Sequence, residues 1–382
     1  MKIQFVVPLS LVFAVAISSC SIDIAQSSVI TPSPSVGTIP SALISTALPE
    51  TGATPQATNI TSSLPTTTIP ITWGNLNLSG KLIYTSAVFQ GQSILINIQS
   101  LDLKTGVVKT IYQAPEGGWI DAVAVSPDNR QLILSYATPL SAPNGGKKAL
   151  YHMSLIGSES PQLLFTPASP HDQYSQPEWS PDGKYVYFTH ISDQTANFEV
   201  WRIPYPNGKL EKLADNASWP RVSGDGAHLV YVWIDSGTRV NRLFLANVDG
   251  SDAHNISLTG PSVPIIIDAP MFSGDDQSIF FSAPNFGQSS TPGLFRIRLG
   301  RARSSANGSI PSDWWSVSVA GGEPNRVTNI RSLALFGNYS PDKKHIAIYS
   351  ADGIFVMNPD GSELTGLVDD VGQISGTVSW IP

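Results

Sequence analysis

The sequence predicts an all-β protein: a closed ring of six small antiparallel sheets, a six-bladed β-propeller, preceded by a disordered tether. Three observations lead there. A short turn motif recurs five times, with its serines separated by 54, 43, 50 and 67 residues, and periods of this size mark propellers or solenoids. A run of β-branched and aromatic residues follows each copy, as a half-buried pleated strand requires. No helical period is sustained anywhere after Cys20. Composition agrees. Of 382 residues only 13% are charged, against about 25% in an average soluble protein. Gly and Pro number 31 and 30, a balance that disfavours long helices and coiled coils. The lone cysteine rules out an internal disulfide framework and a Cys-based zinc cluster. A net charge of −7 argues against nucleic acid as a partner.

The chain begins with an address. Lys2 supplies a positive start, and Phe5 to Ile17 is an apolar run too short for a comfortable membrane span but suited to a signal peptide. Ile17-Ser18-Ser19-Cys20 resembles a bacterial lipobox, in which the Cys becomes the new N-terminus and carries the lipid. Residues 1–19 are therefore expected to be a lipoprotein signal peptide and Cys20 the lipidation site. The expected location is extracytoplasmic, membrane-anchored through lipid, at the cell surface or in the periplasm. Residues 20–75 follow as a Ser/Thr/Pro-rich linker. Between Ser21 and Thr72 its only charges are Asp23 and Glu50, and prolines 32, 34, 40, 49, 55, 65 and 70 oppose helix and ladder alike. Such a segment buries too little apolar surface to offset its ordering entropy.

The ring is expected over residues 76–382. Its motif reads Ser126-Pro127-Asp128-Asn129, Ser180-Pro181-Asp182-Gly183, Ser223-Gly224-Asp225-Gly226, Ser273-Gly274-Asp275-Asp276 and Ser340-Pro341-Asp342-Lys343. Pro sets φ for a turn, Asp bonds its own turn backbone, and Gly tolerates positive φ. These aspartates are thus structural turn residues rather than catalytic ones. Second strands and Asp-Gly or Asn-Gly turns follow, at Asn207-Gly208, Asp249-Gly250 and Asp360-Gly361, and predict type I′ hairpins. The chain ends Val378-Ser379-Trp380-Ile381-Pro382, an innermost strand that stops at the motif, and folding starts at Ser79-Gly80-Lys81, the missing second half. Pairing the two ends makes a sixth unit and removes exposed edges, so the ring is expected to be monomeric.

These units resemble the TolB-type WD40-like (PD40) repeats, with Trp179-Ser180-Pro181-Asp182-Gly183-Lys184 the best copy. The resemblance implies a six-bladed propeller across residues 76–382. In TolB an α/β domain precedes the propeller, where this chain has its linker. Similar propellers gate prolyl oligopeptidase-like enzymes, but this sequence has no Gly-x-Ser-x-Gly elbow.

Candidate chemistry is sparse. His152, His171, His190, His228, His254 and His345 show no tight ligand spacing. His171-Asp172 precedes the strand holding Trp179 and could reach the funnel rim. Asn247-x-Asp249-Gly250 and Asn358-x-Asp360-Gly361 lack the full start and distal Glu of a calcium loop. Between Ser273 and Ser340 an insertion carries Arg296, Arg298, Arg301 and Arg303, a possible contact for a protein or cell-envelope polymer. The expected function is a non-catalytic binding scaffold without cofactor or metal. The alternative is a polysaccharide lyase or hydrolase with a metal in the funnel.

Overall fold

Each motif copy ends one strand and begins the next, and the sheets follow from that rhythm. The computed structural model describes residues 64–382 apart from 143–144, 158, 168, 170–171, 193–194, 196, 236–239, 262, 285–309 and 373–375. Among these, six antiparallel sheets form. Blade 1 holds β2 (Lys81–Gln90), β3 (Ser93–Asp102) and β4 (Val107–Gln113), with β1 (Thr66–Thr68) on its outer edge and β25 (Val378–Ile381) innermost. Blade 2 is β5 (Trp119–Val125), β6 (Gln131–Ala137), β7 (Lys148–Ser154) and β8 (Gln162–Leu163). Blade 3 is β9 (Gln173–Trp179), β10 (Tyr185–Ile191), β11 (Phe198–Pro204) and β12 (Glu211–Asp215). Blade 4 is β13 (Ala217–Val222), β14 (His228–Ile234), β15 (Asn241–Asn247) and β16 (His254–Asn255). Blade 5 is β17 (Asp268–Phe272), β18 (Ser278–Pro284), β19 (Ser312–Ser318) and β20 (Asn325–Arg326). Blade 6 is β21 (Phe336–Tyr339), β22 (Ile346–Ser350), β23 (Gly353–Met357) and β24 (Thr365–Val368).

The predicted closure is present. Trp380 pairs with Leu82 as Trp179 pairs with Val186 and Val222 with Leu229, so Ile381 stands where the other blades carry the motif serine. The folded body also starts before residue 76. β1 pairs with β4, and Trp73 is fully buried with its indole N–H donated to the Leu103 carbonyl at 2.8 Å.

Side chains alternate across a strand, and here both faces are buried. Leu132 and Leu134 pack toward blade 1, while Ile133 between them packs toward blade 3. Val186 and Phe188 face blade 2, and Tyr187 faces blade 4. The core is therefore six separate clusters, one in each cleft between neighbouring blades, the last joining blade 6 to blade 1.

The motif turn is the same in all five copies. The serine hydroxyl donates to the aspartate Oδ1, and accepts from the N–H five residues on at 2.8–2.9 Å. The fourth residue takes positive φ: Asn129, Gly183, Gly226, Asp276 and Lys343. The hydrogen bonds hold the aspartate carboxyls down. Donation from Lys184 and Ser180 lowers Asp182 to about 2. The outer turns differ from the expected type I′. Only the glycine is left-handed at Gly250 (φ 86°) and Gly361 (φ 85°), and Gly208 is not left-handed at all. Each Asp-Gly turn is wider than two residues, closed by Asn247 N–H to the Ser251 carbonyl and Asn358 N–H to the Ser362 carbonyl. A type I′ turn needs positive φ at both central residues.

Ser223 is fully buried and accepts the His228 N–H at 2.8 Å. Ser223→Ala leaves that donor without its partner and should lower unfolding free energy by about 1–3 kcal/mol, read by denaturant titration. An unchanged midpoint would mean the turn is held by its backbone alone.

Candidate functional site

The innermost strands set the geometry of the hub. In three blades a proline stands three residues before the motif serine: Pro177, Pro220 and Pro270. Proline has no N–H for the ladder, and each pair Gln176-Pro177, Trp219-Pro220 and Ala269-Pro270 bulges opposite a single residue of the second strand. The first residue of each pair takes positive φ, at 55°, 57° and 46°. A bulge re-aims the side chains beside it.

The re-aimed groups close the centre. Arg221 on β13, only 8% exposed, lies 3.3 Å from Glu178 of β9. It donates to the Gly337 carbonyl of β21 at 3.3 Å, and its guanidinium sits 4.9 Å above the Phe336 ring. Trp219 approaches Phe336 at 6.2 Å from the same side. One cation thus links blades 3, 4 and 6 across the hub. Burial pushes the Glu178 carboxyl above its usual range, partly offset by Arg221. Hydroxyls tie adjacent blades around this centre. Thr377 both donates to the Val123 carbonyl and accepts its N–H, at 2.8 and 2.7 Å. The Trp219 N–H donates to Gln176 Oε1 and to Thr189 Oγ1.

Asp268 begins β17, the innermost strand of blade 5. Burial alone shifts its carboxyl, up to about 7.

A second cluster lies at the end of blade 3 away from the motif turns. His190 stands between two carboxylates, Glu199 at 2.8 Å from Nδ1 and Asp172 at 3.2 Å from Nε2. Tyr174 stacks on its ring and Trp201 meets it edge-on. Trp201 Nε1 and Lys212 also donate to Glu199. These hydrogen bonds hold Glu199 below its usual range despite burial. Asp172 is therefore a partner of His190, and His171 lies outside the described residues. The other histidines are dispersed. His152 approaches the Tyr205 hydroxyl, with burial lowering its pKa, and His345 stacks on Trp380. Among the described residues no three His, Cys, Asp or Glu side chains gather as metal ligands. Cys20 and Arg296, Arg298, Arg301 and Arg303 lie outside the described residues.

Known proteins share this architecture. TolB from Acinetobacter baumannii superposes with a TM-score of 0.55 at 16% identity, over 79% of this chain and 67% of that one. A putative TolB from Agrobacterium tumefaciens gives 0.52 at 18% identity, over 80% and 99%. In sequence, Tol-Pal system protein TolB of Francisella tularensis is 28% identical over 131 residues, 34% of this chain and 29% of the relative. This chain has a TolB-like propeller fold. An uncharacterized protein of Agrobacterium fabrum is 33% identical over 63 residues, 16% of this chain and 21% of its own length. The TolB-like chain thus spans less than a third of the curated relatives it matches. No family profile matches it.

Glu178, Arg221, Trp219, Phe336 and Asp268 were not singled out from the sequence. The repeated proline three residues before the serine was the available signal. An acid whose folded pKa is raised makes the fold lose stability as pH climbs from the unfolded value of about 4 to about 7. Asp268→Asn should remove that decline. Melting temperatures measured from pH 4 to 7 should fall for the wild type relative to the variant; parallel curves would refute the shift.

Proposed function

We propose that the chain is an envelope lipoprotein whose TolB-like propeller acts as a binding scaffold for a protein or cell-envelope polymer, without catalysis. One observation carries this reading. The Glu178–Arg221–Gly337 link ties three innermost strands together at the hub, which favours recognition by the two faces of the ring and their loops. Propeller loops commonly carry specificity on a rigid frame. The sequence adds the rest: removal of residues 1–19, lipid on Cys20, a linker over 20–75, and a basic insert at Arg296, Arg298, Arg301 and Arg303 as one contact. The alternative of a lyase or hydrolase needs converging ligands or acids on the innermost strands, where Glu178 pairs with Arg221 and Asp268 is a further buried acid.

Fractionation and crosslinking on intact cells test it together. Cys20→Ala should move the protein from the membrane to the soluble fraction; continued tight attachment would contradict the anchor. Replacing the four arginines by serine should reduce a crosslinked partner several-fold. An unchanged partner set would remove the insert from the interface, and stoichiometric manganese, calcium or zinc in the pure protein would overturn the non-catalytic reading.

A further inference from the structure

One face of the ring is built from a repeated turn and the other from unlike loops. The motif turns all lie on one face, where Asp128, Asp182, Asp225, Asp275 and Asp342 are exposed. Their hydrogen bonds keep all five carboxyls acidic, so each is ionised at neutral pH. The opposite face carries the loops between second and third strands and those leading to the next blade. Three of these segments, residues 86–96, 137–146 and 256–267, contain no charged residue. Each presents an apolar side chain to solvent. Phe89 is 61% exposed at the tip of the β2–β3 hairpin, Leu140 is 83% exposed on blade 2, and Ile265 is 53% exposed between blades 4 and 5. The hairpin strands are ten residues long, against seven in the second strands of blades 2 to 5, so its tip projects beyond them. Lys147, exposed, follows the Leu140 loop.

The chain enters blade 1 on the same side. β1 runs antiparallel to β4, with Thr66 opposite Lys109 and Thr68 opposite Val107. It therefore travels from the loop face toward the motif face, so the described chain, from Leu64, enters the ring on the loop side. We propose that the loop face rests on a lipid surface through Phe89, Leu140 and Ile265. This orientation rests on the reading of Cys20 as the anchor. The tips stand on blade 1, on blade 2 and between blades 4 and 5, spread around the ring rather than gathered in one pocket, which suits a fluid, extended partner. Apolar burial contributes in proportion to area, and three single side chains bind weakly by themselves. A tether raises the effective concentration to the order of millimolar, enough to keep a weak contact occupied. The loop face also carries exposed Glu116, Asp215, Asp352, Asp369 and Asp370, so the contact is made by the apolar tips rather than by charge.

The single cysteine makes the test clean. The wild-type lipoprotein, reconstituted in phosphatidylcholine–phosphatidylglycerol vesicles, is treated with a maleimide dye sensitive to polarity. A lipidated Cys20 has no free thiol, so labelling of the wild type would show that the anchor reading has failed, and the remaining comparisons would then use a Cys20→Ala background. Phe89→Cys, Leu140→Cys and Ile265→Cys are labelled singly, with Ile156→Cys, 75% exposed on the motif face, as the reference. We expect blue-shifted emission at 89, 140 and 265, and quenching by a headgroup-linked quencher at least about twofold above position 156. Equal quenching at 156, or none at the three tips, overturns the orientation.

Discussion

Every blade buries both faces of its sheet, and a buried face needs a neighbour. This one requirement organises the molecule. An isolated four-stranded blade would leave Tyr187 or Phe188 in water, whichever face it failed to cover. The solution is circular, with six clefts for six sheets, and the circle exists only because β25 lies against β2. The final strand thus does more than extend blade 1. It carries Val378 and Trp380 into the cleft with blade 6, where Tyr349 and Trp73 also pack. Closure also removes the sheet edges that would otherwise invite other chains.

The hub is a consequence of the same geometry. Six innermost strands converge, and bulges at Gln176, Trp219 and Ala269 decide what they present there. What they present is an ion pair and aromatic rings. A buried ion pair is a poor source of net stability, but Arg221 reaches three blades and so fixes their mutual position. The repeat also makes the two faces of the ring unequal. Turn chemistry puts an aspartate at each motif copy, all on one side, while the other side is free to vary.

The fold was legible because its determinants are local. Serine, aspartate and a residue at positive φ lie within four positions of one another, and each copy repeats the same hydrogen bonds. The joining of the two ends could be read for the same reason, since Trp380-Ile381-Pro382 and Gly80-Lys81 are halves of one motif. The site was much less legible. Arg221 and Gly337 are 116 residues apart, and nothing in either neighbourhood names the other. Asp172 lies beside His171 in the sequence, but its partner His190 depends on how β9 and β10 register. The prolines at 177, 220 and 270 were the missed clue, because a residue without an N–H in a central strand calls for a bulge. The left-handed glycines at 250 and 361 show the opposite error. Asp-Gly was read as the tightest hairpin, although the strands it joins lie several residues apart.

Cooperativity around the ring is the property that closure must produce. Native-state hydrogen exchange on the second strands, at Leu82, Leu132, Val186, Leu229, Ile279 and Ile346, measures it directly. A ring closed by β25 predicts one common opening free energy for all six blades, matching global unfolding. Stabilities graded from one end of the chain to the other, as in an open stack of repeats, would contradict it.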